Sequence, residues 1–133
     1  MQDHCAYDYA IVRVVPKVER GEFVNAGVIV SCPERDFLGA RIELDEARLL
    51  ALDPAVDLDA VQTHLASIPL ICRGGDRAGP IGRLSPRERF HWLVAPRSTV
   101  IQTSPMHAGS CRDPEAVLEH LLATMVRATP GDR

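Results

Sequence analysis

The amino-acid sequence predicts an α+β fold. The expected architecture is an antiparallel sheet of three to four strands, opening as an N-terminal hairpin or meander, packed against about four helices in two layers. Three observations point there. Runs rich in Val, Ile and aromatic residues, separated by turn signals, fill the first third of the chain. Apolar residues at helical spacing, with capping residues before them, dominate the remainder. Strands followed mostly by helices, without strict alternation, favour an antiparallel sheet.

The first strand spans Tyr7 to Val15 and the second Phe23 to Ser31, with Pro16 and Gly21 in the turn between them. A five-residue loop from Lys17 to Gly21 sets Val14 beside Val24, Val12 beside Ala26 and Ala10 beside Val28. The other face then carries Val15 with Phe23, Arg13 with Asn25, Ile11 with Gly27 and Tyr9 with Ile29. This register places Arg13 and Asn25 at the loop end, near Glu19, Arg20 and Glu22, as a small structural network of polar groups. Arginines beside Glu19 and Glu22 keep both carboxylates ionised, which suits a structural role better than a general acid. Gly27 leaves room for another element to approach.

CPERD, Cys32 to Asp36, is a turn. Phe37 to Leu44 alternates, with Leu38, Ala40, Ile42 and Leu44 on one face, as a third strand would. Asp45 caps a short helix, EARLLAL, that stops before Pro54. Asp57 caps another, with Leu58, Val61, Leu65 and Ile68 in phase and Pro69 kinking or ending it. RGGDRAGPIGR, Arg73 to Arg83, is a glycine-rich connection without the order of a phosphate-binding P-loop. SPRE, Ser85 to Glu88, is a capping box opening a short helix with Phe90, Trp92 and Leu93, closed by Pro96. Ser98 to Thr103 forms a strand, putting Ser98, Val100, Gln102 and Ser104 on one face. Asp113-Pro114 starts the last helix, with Val117, Leu118, Leu121, Leu122 and Met125 as its buried stripe.

A chain of 133 residues suits one domain, 1–133, with an ordered core of about 6–127 and a frayed tail at 128–133. At this length roughly 65–70% of the unfolded surface can be buried, so no staple is needed. The beginning, MQDHCAYDYA, lacks the charged and apolar regions of a signal peptide, and no apolar run reaches membrane-spanning length. Cys5, Cys32, Cys72 and Cys111 are widely spaced, without a CxxC pair. This argues against a zinc knuckle and for free thiols in a cytoplasmic location, with Cys32, Cys72 and Cys111 acting as partly buried small hydrophobes.

The net charge of −3 conceals an asymmetry. Residues 1–70 carry −6, residues 71–112 carry +5 and residues 113–133 carry −2. A basic middle can mark an anion or nucleic-acid surface. Lys17 stands alone beside fourteen arginines, as a GC-rich coding sequence produces, and solvated arginines are the simpler reading.

The stretches YDYAIVRVVPKVERGEFVNAGVIV and RFHWLVAPRSTVIQTSPMHAG together resemble the bacterial domain-of-unknown-function family 3037. The resemblance runs from Tyr7 to about Met125. Its matched residues are Arg13, Glu19, Arg20, Gly21, Glu22, Phe23, Asn25, Gly27, Arg89, Phe90, Trp92, Arg97, Ser98, Thr99, Gln102 and His107. It implies a small bacterial protein, and associates such proteins with gene neighbours resembling HipA-type kinases. It implies no reaction.

The second block gathers donors: Arg89, His91, Arg97, Ser98, Thr99, Gln102 and His107 form a candidate binding surface for an anion or extended peptide. A nucleophile, Ser98 or Cys111, could pair with His91 or His107, but no GxSxG elbow surrounds Ser98 and no acid is nominated to orient a base. His107 and Cys111 have the i, i+4 spacing of a helical metal site without a helical pattern around them. The favoured reading is a non-catalytic protein-binding or accessory module with no cofactor, its partner a protein such as the kinase-like neighbour. Alternatives are an anion- or nucleic-acid-binding protein using residues 73–112, and a small hydrolase or transferase.

Overall fold

In a computed structural model, which describes residues 4–127, the chain runs β1 (Cys5–Val14), β2 (Val24–Cys32), β3 (Phe37–Ile42), α1 (Glu46–Leu52), α2 (Leu58–Arg73), α3 (Pro86–Val94), β4 (Ile101–Thr103), β5 (His107–Cys111) and α4 (Pro114–Leu121). The last helix passes into a π-helical turn, Leu122–Val126, and short 3-10 turns link other elements. The expected frayed tail, 128–133, lies outside the described residues. The α+β class and the N-terminal antiparallel meander are as the sequence predicts, and the described residues hold five strands where three to four are expected.

The strand order is β3-β2-β1-β4, and β5 also pairs with β1. β4 takes the C-terminal part of β1 (Val12 to Val14) and β5 the N-terminal part (Cys5 to Tyr9). Every pairing is antiparallel. One face carries Val12, Val14, Val24, Ala26 and Ile29 against residues of α1, α2 and α3, including Leu49, Leu65 and Phe90. Ile11, Val28 and Val30 pack against Leu118, Leu121, Leu122 and Val126 of the C-terminal helical segment. Strand residues alternate between faces, so the last helix covers the face opposite the other three.

The hairpin follows the expected register only at its loop end. Val14 faces Val24 and Arg13 faces Asn25. The ladder then shifts by one residue, so Val12 faces Gly27 and Ile11 faces Val28. This bulge corrects the expected pairs Val12–Ala26 and Ala10–Val28. It reverses the phase of β2, which is why Ala26 and Ile29 share a core cluster while Val28 joins the other. Both faces are buried, so apolar residues on either side of β2 satisfy the fold. The element that approaches Gly27 is β3. A Cβ there would stand 2.6 Å from both the Arg41 carbonyl and the Ile42 side chain.

The later elements carry further corrections. α2 continues through Pro69 to Arg73. The expected strand from Ser98 shrinks to Ile101–Thr103. Thr99 donates its hydroxyl to the Ile101 carbonyl and Gln102 donates its amide to the Thr99 carbonyl, which bends the chain ahead of the strand. β5, HAGSC, has little strand propensity in sequence. Its Gly109 is required because a Cβ there would lie 2.5 Å from the Tyr7 ring. Met125 is exposed and Val126 is buried in its place. The π turn's extra residue moves the apolar stripe by one position.

Candidate functional site

Two polar groupings follow from the sequence, one at the hairpin and one around residues 89–107. At the hairpin the expected five-residue network divides into three arrangements. Arg20 and Glu22 form an exposed ion pair at 2.7 Å, which raises the arginine and lowers the glutamate, chiefly through their hydrogen bond. Glu19 is exposed and adds a weaker charge effect on Arg20. Arg13 lies over the Phe23 ring, 4.2 Å from its centre. Asn25 donates its amide to the Met125 carbonyl at 3.0 Å, tying the hairpin to the π turn. Arg13 and Asn25 are therefore neighbours without bonding one another. Among the described residues the buried Arg13 Nε and Asn25 Oδ1 have no hydrogen-bond partner.

The second grouping forms only in part. Arg89 does not lie on the expected binding surface. It is 8% exposed, and its guanidinium donates to the carbonyls of Leu84 and, at 3.1 Å, Cys72. Gly74 allows this, since a Cβ would stand 2.9 Å from the guanidinium carbon. Arg89 thus joins the end of α2 to the start of α3. His91 is exposed on α3 and meets Phe90 edge-on. His107 is exposed on β5 against Tyr9, with ring centres 5.3 Å apart. Ser98 is exposed.

Arg97, Thr99 and Gln102 do come together. They line a cleft of about 240 Å³ with Trp92 and Leu93 of α3 and Ile101 and Thr103 of β4. The opposite wall is α2, through His64, Ser67, Ile68 and Ile71. The α2 contribution was not among the sequence candidates, although positions 64, 67, 68 and 71 follow one helix face. Arg97 shapes the cleft. It donates to the carbonyls of Leu93 at 2.9 Å and Trp92 at 2.6 Å, closing the C-terminus of α3. Its guanidinium also covers the Trp92 ring at 4.6 Å, leaving the indole 41% exposed. The cleft is apolar inside, with a cationic and amide rim and no carboxylate among its lining residues.

Among the described residues no hydrogen bond joins Ser98 or Cys111 to His91 or His107. Burial pushes the Cys111 thiol up, opposite to what a nucleophile needs. His107 and Cys111 lie at the two ends of a strand, roughly 13 Å apart by strand rise, which removes the i, i+4 metal pairing. The two stretches that carry the family resemblance meet in the sheet, where Arg13 of β1 faces Asn25 of β2 on one side and Gln102 of β4 on the other.

A family model described as "protein of unknown function (DUF3037)" matches residues 9–126. The chain belongs to the DUF3037 family. The matched span takes in β1 from Tyr9 onward, β2, the cleft and the C-terminal helix of this DUF3037 protein. No curated protein and no solved structure matches the chain. No described helix is long and apolar enough to cross a membrane.

Proposed function

We propose that this DUF3037 protein is a non-catalytic binding module that takes a protein partner on the cleft between α2, the end of α3 and β4. The observation that carries the reading is the Trp92–Arg97 pair at the mouth of an apolar cleft. Trp and Arg are the side chains most often responsible for interface affinity, and here each holds the other in place before binding. The rim carries Arg97 and His64 and no acid, so the complementary partner segment presents an apolar anchor flanked by Asp or Glu. A HipA-type kinase-like protein, associated with the family through gene neighbourhood, is the first partner to test. Four free cysteines are consistent with placing the protein in the bacterial cytoplasm.

The test is retention of that kinase-like partner by immobilised protein, with affinity measured by calorimetry. Trp92→Ala is expected to weaken binding by about 2 kcal/mol or more, close to thirtyfold, with an unchanged melting temperature. Arg97→Ala also removes a helix-end contact, so its melt drops by about 0.3–1 kcal/mol equivalent alongside the lost affinity. Full retention by Trp92→Ala places the binding surface elsewhere.

A second reading rests on a separate observation. Arg73, Arg77 and Arg83 are exposed around the glycine-rich turn and make no side-chain hydrogen bond or ion pair among the described residues. Anion or nucleic-acid binding there predicts affinity that falls steeply with salt and survives Trp92→Ala.

A further inference from the structure

Three of the four cysteines meet although they are far apart in sequence. Cys5 opens β1, Cys32 closes β2 and Cys111 closes β5, and all three are buried. Cys5 stands opposite Cys111 in the β1–β5 ladder. The Cys5 sulfur lies 2.7 Å from that of Cys32 and 3.9 Å from that of Cys111. Tyr7, Phe37 and Val117 pack around the group. A sulfur–sulfur bond is about 2.05 Å long, so Cys5 and Cys32 are well under an ångström from bonding distance. Among the described residues no group of three or more His, Cys, Asp or Glu side chains is arranged to hold a metal ion. Cys72 lies apart, in the cluster formed with α1, α2 and α3.

We propose that Cys5 and Cys32 are an oxidative modification site, closing to a reversible intramolecular disulfide when the protein meets hydrogen peroxide. The Cys5 thiolate attacks one peroxide oxygen and the O–O bond breaks. Cys5 becomes a sulfenic acid, and the departing hydroxide takes up the thiol's proton as water. The Cys32 sulfur then attacks the Cys5 sulfur. The S–O bond breaks, and the hydroxyl leaves with the Cys32 proton as a second water. Two thiols together lose two electrons and two protons, and one peroxide becomes two waters. A dithiol reductant reverses the bond by exchange. Burial, the largest influence, pushes the Cys32 thiol up to about 12, so closure is slow at neutral pH and accelerates as pH rises. A disulfide of this kind in a reducing compartment is transient and redox-responsive.

The test uses the wild-type chain, exposed to hydrogen peroxide, alkylated, and analysed by intact mass and non-reducing peptide mapping. The expected product has lost two hydrogens, contains a peptide linking Cys5 to Cys32, and regains all four free thiols in dithiothreitol. Cys32→Ser is expected to abolish the link, and Cys72→Ser to leave it intact. If Cys32→Ser does not fold, the wild-type map alone decides. The proposal is overturned if all four thiols remain alkylatable. Oxidation that stops at sulfinic acid on single residues, or a link from Cys5 to Cys111 or between molecules, also overturns it.

Discussion

Arg89 and Arg97 show how the same residue type takes unlike roles eight positions apart. Arg89 is buried, and its charge is spread over two backbone carbonyls with Nε left unpartnered among the described residues. Arg89→Ala strands both carbonyls, and the expected cost is about 2–3 kcal/mol, measured as a lower midpoint in urea. Arg97 is half-exposed, and its loss costs far less stability. An unchanged midpoint for Arg89→Ala would show that water replaces the guanidinium. The sequence displays seven arginines between positions 71 and 112 but not which of them curl back onto the backbone. That choice depends on Gly74 leaving space beside α2, a tertiary contact with no local signature. Arg97, Thr99 and Gln102 could be read as site residues because they crowd one short stretch. The α2 wall of the cleft could not be placed beside them without the fold.

At the scale of elements, local chemistry was the most legible. Ser85 and Glu88 form the full capping box: the Ser85 N–H donates to Glu88 at 3.0 Å, and the Glu88 N–H donates to the Ser85 hydroxyl at 3.2 Å. Ser85→Ala is expected to lower stability by about 0.5–2 kcal/mol in a thermal melt. The Ser85 backbone N–H, then its hydroxyl, hold the Glu88 carboxyl below its ordinary 4.5. A depressed carboxylate stabilises the fold above its unfolded value, and the stabilisation disappears as pH falls through the folded value. The difference in melting temperature between wild type and Glu88→Gln should therefore be constant above pH 4.5 and shrink below it. A difference that grows on acidification would contradict the box. The helix starts at Asp45, Asp57 and Asp113 were legible for the same reason, since each side chain accepts from its own first turn. The β2 bulge, the π turn and β5 were not. A bulge in a strand apolar on both faces leaves no mark in the hydrophobic pattern, and HAGSC acquires its conformation from pairing with β1.

Across the whole molecule, β1 organises both proposals. Its C-terminal end, Val12 to Val14, carries β4 and hence one wall of the cleft, while Cys5 begins it. The rise of an extended chain puts these ends roughly 25 Å apart. Peroxide-treated protein is therefore expected to retain a cleft-bound partner as well as reduced protein does, in the same pull-down run with and without dithiothreitol. Loss of retention on oxidation alone would mean that the cysteine end and the cleft communicate through the sheet. α4 adds a different kind of tie. Arg41 pairs with Glu115 and Glu119, and Arg127 with Glu43 and Glu119. These side chains are substantially exposed, so they orient the helix more than they stabilise it, and Leu118 and Leu121 supply the apolar contact.

Ser104 gives the sheet a further property. Its N–H donates to the Ile11 carbonyl at 2.8 Å, and its hydroxyl accepts the Ile11 N–H at 2.9 Å. A side-chain oxygen thus does the work of a ladder carbonyl where β4 ends, and Pro105 follows directly. The border of the sheet along β1 is consequently delivered in two short pieces, three and five residues long, instead of one continuous ribbon. A continuous ribbon would offer a template on which a strand from another molecule could polymerise. The interruption breaks that template on the β4 and β5 side of the sheet.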